Sequence, residues 1–253
     1  MTPSPPRNGA SPEAGAIPSP PGDRPGKSPV GRLVGVVKAY PMGNRQYLAL
    51  RGVDLTLYRG EFTAIVGPSG SGKSTILNMI TGIDKPTKGQ VLMSGAPVHL
   101  MSENELAQWR GANVGIIFQF FQLLPTLTAI ENVMLPMDFL DVYRGRRRER
   151  AMQLLARVGL EMHADHLPSE LSGGEQQRVA VARSLANDPP IIIADEPTGN
   201  LDTATGERVI NLLRELSQEG KSVIFVTHDP VLASSAQRIV KVQDGQIVSD
   251  QTA

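Results

Sequence analysis

Apolar residues follow two rhythms along this chain. In some stretches they alternate with polar ones, the period of a half-buried strand; in others they form short unbroken runs, as strands covered on both faces do. Residues 33–37 and 48–57 predict strands, the second alternating through Val53, Leu55 and Leu57. The runs at 62–66, 114–118, 191–194 and 222–226 predict buried strands. The segments between them read as helices. One follows residue 66 and ends near Gly82, by about Ile83. Ser102 with Glu105 predicts a capping box for a helix through Trp109, and Thr128 with Glu131 repeats the pattern before Val133. Residues 151–158 predict a helix that stops at Gly159, and residues 172–186 one with a glycine-rich start. Asp202 caps a helix to about Glu219, closed by Gly220. Asp244-Gly245 between two apolar runs predicts a hairpin. Strands alternating with helices predict an α/β domain with a mostly parallel sheet. The strand-rich beginning and end predict an antiparallel addition, and residues about 122–185 a helical lobe of their own.

Composition changes this picture at one end. Residues 1–30 are rich in Pro, Gly, Ser and Ala and carry almost no large apolar side chains. Such a segment cannot bury enough surface to offset its ordering entropy. It reads as a disordered tail with extended polyproline character, or as a docking ligand for a partner. Order is expected from near Leu33, giving a tail at 1–30 and a domain at 31–253. The 253 residues suffice for a core without staples, and there is no cysteine. Net charge is zero, so no basic excess argues for nucleic acid. No apolar run approaches the ~20 residues of a membrane helix, and the first residues lack the apolar core of a secretory signal. Any spanning part is expected on another chain.

The chemistry starts at Gly67-Pro68-Ser69-Gly70-Ser71-Gly72-Lys73-Ser74, a glycine-rich phosphate loop between an apolar strand and a helix. Glycines let N–H groups point inward at phosphate oxygens, and the helix start adds partial positive charge. Lys73 is expected to neutralise the terminal phosphates and Ser74 to ligate Mg²⁺. Residues 191–194 lead into Asp195-Glu196, paired acids at a strand end. Divided work is expected: Asp195 on the Mg²⁺ shell, Glu196 on the attacking water. A merely capping or salt-bridging acid pair is the bland alternative, which the phosphate loop upstream disfavours. Gln119 and His228 each follow a strand, at the edge where α/β proteins bind ligands. A second glycine-rich helix start, Leu171-Ser172-Gly173-Gly174-Glu175, precedes the acidic strand and points to a nucleotide shared between two copies.

Together these residues resemble the ATP-binding subunits of ABC transporters over about residues 33–250. Within that family the chain is similar to the macrolide-efflux, lipoprotein-release and cell-division group, through the loop at 66–75, the stretch at 123–133 and that at 194–202. The resemblance implies a P-loop NTPase fold with a RecA-like core, a mostly parallel sheet, an antiparallel β addition and a helical signature lobe. It implies ATP and Mg²⁺ as ligands, with Tyr40 stacking on adenine and Thr75 completing the phosphate loop. Ser74, Gln119 and Asp195 are implied as metal ligands. Glu196 matches the catalytic base and His228 the switch residue, with Gln119 and Lys73 beside them. Leu171 to Glu175 match the signature, in which Ser172 and Gly174 grip the terminal phosphate of ATP on the other copy. Asn200, Leu201 and Asp202 match the segment that crosses the dimer interface. Glu175 stands where the broad family often has Gln, and Asn200 where Ser is widespread.

The implied partners are a second copy of the chain and a separate transmembrane permease. The implied location is the cytoplasmic face of the inner membrane, with indirect membrane contact and no nucleic acid. The alternative is an ATP-dependent regulator of a cell-wall hydrolase. The apolar residues Phe120, Phe121 and Leu124, with Gln122, read either as a partner surface or as core of the helical lobe. Arg144, Arg146, Arg147, Arg148 and Arg150 read as a solvated helix start or as a contact for anionic lipid. His99, His163 and His166 have no metal-ligand spacing.

Overall fold

The computed structural model describes Arg24 and residues 26–252. Two sheets are built (strands β1 to β9, helices α1 to α7). The smaller is antiparallel, in the order β2-β1-β4, from β1 (Pro29–Met42), β2 (Arg45–Tyr58) and β4 (Lys88–Met93). The larger runs β5-β6-β7-β3-β8-β9. In it β3 (Phe62–Val66), β5 (Val114–Ile117), β6 (Ile191–Asp195), β7 (Ser222–Thr227) and β8 (Arg238–Gln243) are parallel. Only β9 (Gln246–Thr252) at the edge is antiparallel. The helices are α1 (Lys73–Thr81), α2 (Glu103–Asn113), α3 (Ala129–Phe139), α4 (Arg147–Arg157), α5 (Gly173–Ser184), α6 (Thr203–Gln218) and the short α7 (Pro230–Ala233). Among the described residues no helix is long and apolar enough to cross a membrane.

Local chemistry explains the element ends. Helices α2, α3 and α5 start with one device: Ser102, Thr128 and Ser172 each accept an N–H three residues on, and a glutamate reaches back. Gly82 adopts a left-handed conformation after α1. Asp244 (φ 49°) and Gly245 (φ 76°) make the tight β8–β9 turn with both residues left-handed, as a type I′ hairpin needs.

Several expectations shift. The two early strands form one long hairpin, each extending past the runs at 33–37 and 48–57. Its first strand starts at Pro29 with Val30 buried, inside the segment expected as a tail; residues 1–23 lie outside the described residues. Strand β4 had no expectation at all, because of its six residues only Val91 and Met93 are buried. The basic run lies mostly within α4, not ahead of it. The helical stretch has no core of its own. Val133, Leu155, Val179 and Ala182 share one apolar cluster with Phe62, Ile192, Ala194 and Phe225 of the large sheet. Phe62 and Phe225 stack there at 4.8 Å. A second cluster lies between the sheets and takes in Leu33, Leu50, Ile65, Ile76, Met79 and Val226. Burying a side chain of this size contributes about 1.5–3 kcal/mol.

Candidate nucleotide site

Parallel strands deliver their carboxyl ends to one edge of the sheet. Strand β3 ends there in the phosphate loop, β6 in Asp195-Glu196 and β7 in Thr227-His228. The loop requires its glycines. A Cβ on Gly67 would lie 2.1 Å from the Val242 carbonyl oxygen. One on Gly72, at φ 105°, would meet the Ala49 carbonyl oxygen at 2.7 Å. Lys73 is buried and donates to the Gly67 and Pro68 carbonyls, at 2.9 and 3.0 Å. The loop's own carbonyls thus hold a cation at its centre.

These residues fit a triphosphate with Mg²⁺. The buried Ser71 hydroxyl has no protein partner in the loop. Ser74 Oγ lies 3.5 Å from Asp195 Oδ1, and two hard oxygens at that separation suit a small divalent cation. Burial above all pushes the Asp195 carboxyl above its ordinary range; the Ser74 hydrogen bond opposes it in part, the Glu196 charge adds to it and Lys73 takes away a little. A bound cation would reverse that shift.

Glu196 sits in left-handed backbone at φ 47°, a conformation costing about 1–3 kcal/mol for a non-glycine residue. Its carboxylate is 2.9 and 3.0 Å from His228 Nδ1, and His228 is well exposed. Gln119 lies against the segment after Glu196. A Cβ on Gly199 would meet its Nε2 at 2.9 Å, and its carbonyl accepts from Asn200 Nδ2 at 2.9 Å. Asp202 caps α6.

Beside the phosphate loop a cavity of about 220 Å³ is lined by Tyr40, Tyr47, Ala49, Gly70, Gly72, Lys73, Ser74 and Thr75. The Tyr40 hydroxyl donates to Asp84 Oδ2 at 2.9 Å, and Lys38 Nζ stands 4.9 Å from its ring centre. Burial and then Asp84 raise the Tyr40 phenol above its ordinary value, so it remains a donor. Tyr47 and Asp84 had no sequence signal. They reach the site through the β1–β2 register and the chain after α1, neither of which is a local pattern.

The signature residues are elsewhere. Ser172 N-caps α5; its Oγ donates to Glu175 Oε2 at 2.7 Å and accepts the Glu175 N–H. Gly174 has no room for a side chain: a Cβ would meet Thr205 Cγ2 at 2.5 Å. None of Leu171 to Glu175 lines the cavity beside the phosphate loop. One chain brings Ser74 to Asp195 and Glu196 to His228, and its signature helix packs on the segment after Glu196, where Gln177 Nε2 donates to the Pro197 carbonyl at 2.6 Å.

The other candidates resolve as follows. Phe120 and Leu124 are exposed, which removes the lobe-core reading for them. Most of the basic run is engaged within the chain. Arg147 pairs with Asp138 and Asp141, Arg148 with Asp165, Arg144 with Asp141, and Arg150 donates to the Ala186 carbonyl. His99 bonds the Val91 backbone. Among the described residues no cluster of His, Asp and Glu forms a metal site from protein ligands alone.

The fold and this edge define a phosphate-loop nucleotide-binding domain with a helical signature lobe. A family profile described as ABC transporter matches residues 50–199. The chain belongs to that family, as an ATP-binding, ATP-hydrolysing cassette. It is 50% identical over 215 residues to an uncharacterized ABC transporter ATP-binding protein of Thermotoga maritima, covering 85% of this chain and 92% of that protein. It is 46% identical over 224 residues to the macrolide export ATP-binding/permease protein MacB of Hahella chejuensis, covering 88% of this chain and 34% of that protein. The chain thus spans about a third of the export ATP-binding/permease relatives it matches. The dimeric structure of the cassette MJ0796 of Methanocaldococcus jannaschii, in a post-hydrolysis state bound to ADP and Pi, is similar with a TM-score of 0.82 at 46% identity. That match covers 88% of this chain and 98% of the other.

Proposed function

We propose that two copies of this chain close face to face around two ATP molecules and so drive a separate membrane permease. The observation that carries this reading is that the capped, glycine-rich start of α5 does not line the cavity beside its own phosphate loop, while the similar cassette MJ0796 is solved as a dimer. A second copy supplies the missing donors. Ser172 would turn its hydroxyl from Glu175 to the terminal phosphate, with the positive end of α5 behind it. The dimeric state of MJ0796 supports the same arrangement.

Within each copy Lys73 would neutralise the phosphates and Tyr40 stack on the base. Ser74, Asp195 and Gln119 would hold Mg²⁺, which shields the phosphate charge. Glu196 would take the proton of the attacking water, oriented by His228 at 2.9 Å. Closure excludes water from this shell, and cleavage removes the bridge between the halves.

The permease would sit in the groove between α2, β5, α3 and α5, a space of about 530 Å³ lined by Ile116, Leu135, Phe139 and Leu140. Phe139 is 78% exposed and Phe120 67%, more apolar surface than a free face needs. The export relatives that carry ATP-binding and permease functions in one protein support export as the work done, and release of lipid-linked substrates is the second form of that work which the resemblance implies. The place of action would be the cytoplasmic face of the inner membrane, through that permease. The test is light scattering of Glu196→Gln protein with saturating MgATP. A dimer that Ser172→Arg abolishes, with monomer ATP binding intact, is expected. A persistent monomer, alone and beside the permease, overturns the reading.

A further inference from the structure

We propose that His163 is a positioning residue for Ser172: it receives the Glu175 carboxylate when Ser172 turns its hydroxyl to the nucleotide of the other copy. This rests on the dimer reading above. In the single chain Glu175 Oε2 accepts from the Ser172 N–H at 2.8 Å and from Ser172 Oγ at 2.7 Å. The Ser172 hydroxyl first, and then its N–H, hold the Glu175 carboxyl below its ordinary range, so it is ionised at neutral pH. An anion therefore stands three residues from the hydroxyl that a triphosphate is to take. When that hydroxyl leaves, Oε2 loses a donor, and the carboxylate faces an approaching phosphate of like charge.

The other carboxylate oxygen has a second place to go. His163 Nε2 lies 3.7 Å from Glu175 Oε1, near enough to close on it and too far for a hydrogen bond already made. His163 Nδ1 is buried with no partner among the described residues. The proton of the neutral ring therefore belongs on Nε2, the nitrogen that faces the carboxylate. The ring stands on a fixed mount. It ends the single turn Glu161–His163, and Leu160 and Ala164 on either side are buried. The Ala164 and His166 carbonyls accept the Ile130 and Ala129 N–H groups, at 2.9 and 2.8 Å, and so tie this segment to the start of α3. The His166 ring packs on His163 with centres 5.1 Å apart. Arg178, on α5 itself, acts on Glu175 more weakly than His163 does. With Glu175 drawn to His163, the Ser172 hydroxyl is free to donate to phosphate.

A double-mutant cycle on MgATP-driven dimerisation, measured by light scattering on the full chain in a Glu196→Gln background, tests this. His163→Leu should weaken dimerisation about tenfold, the low end for one hydrogen bond to a charged group, with MgADP binding to the monomer unchanged. His163→Gln, which keeps a donor near the place of Nε2, should restore it. Glu175→Gln keeps the capping box and removes the charge, and in that background His163→Leu should have no effect. Unchanged dimerisation in His163→Leu overturns the proposal. So does the same loss with Gln at position 175, which would mean that His163 only supports the segment it stands on. A Glu196→Gln parent that stays monomeric in MgATP would instead sink the dimer reading itself.

Discussion

The two edges of the large sheet carry charge in opposite ways. At the edge where β3 and β8 begin, Arg238 and Glu61 are each 2% exposed. Arg238 holds Asp250 by two bonds, at 2.7 and 2.6 Å, and Glu61 at 3.1 Å, and it donates to the Thr56 carbonyl. Arg24 and Lys27 add further pairs to Glu61. At the edge where the strands end, Lys73 donates to loop carbonyls, the Ser71 hydroxyl has no partner among the described residues, and Glu196 is held in left-handed backbone. One edge satisfies its charges internally and is structural. The other holds cation, carboxylate and hydroxyl groups that a ligand would complete. A buried charge is functional by what it lacks, not by being buried.

The comparison breaks most sharply at Glu196. Glu196→Gln should cut turnover about 10²–10⁴-fold while nucleotide still binds, and wild-type turnover would remove Glu196 from the reaction. At the opposite edge Arg238→Met should destabilise by about 3 kcal/mol in urea unfolding. That is the low end for breaking a buried pair, because Arg24 and Lys27 still face the carboxylates. Its remaining folded fraction should bind ATP normally; a neutral result would deny the network its structural role.

A finer contrast uses one device in two places. Ser102→Ala and Ser172→Ala each remove a helix cap and should each cost about 0.5–2 kcal/mol. Only the second should impair ATP-driven dimerisation, read by light scattering in a Glu196→Gln background.

The smallest effects should have opposite signs. Burial opposes the Asp250 charge, but the Arg238 bonds and then Arg24 outweigh it and hold its carboxyl below the ordinary range. Its contribution to stability is therefore present above the unfolded pKa of about 3.9 and lost as pH falls through the folded value. Asp195 is raised instead, so its ionised form costs stability at neutral pH and protonation relieves the cost. Thermal melts without Mg²⁺ at pH 7 should show Asp250→Asn lower and Asp195→Asn higher than wild type. Shifts of the same sign would erase the distinction.

Much of the site was legible in sequence because its parts are local. The loop at 67–74, the acids after the run at 191–194 and the capped start of α5 are each one strand end or one helix start, where neighbours along the chain set the geometry. Strand β4 was invisible for the converse reason. Its partner is β1, so only pairing between residues as far apart as Gly31 and Met93 makes it a strand.

The sequence by itself determined the order of the longer elements apart from β4, the caps, the phosphate loop and the family. Short-range periodicity, turn chemistry and glycine's freedom act within a few residues, and they survive in the linear pattern. Tertiary structure decided that Tyr47 faces Tyr40, that Asp84 holds the Tyr40 hydroxyl, and that Glu61, Arg238 and Asp250 meet at the far edge. It also decided that the helical stretch shares the sheet's core instead of enclosing one. Each of these depends on strand register or on packing between distant segments, and neither leaves a local trace, because the residues that meet are chosen by the whole fold.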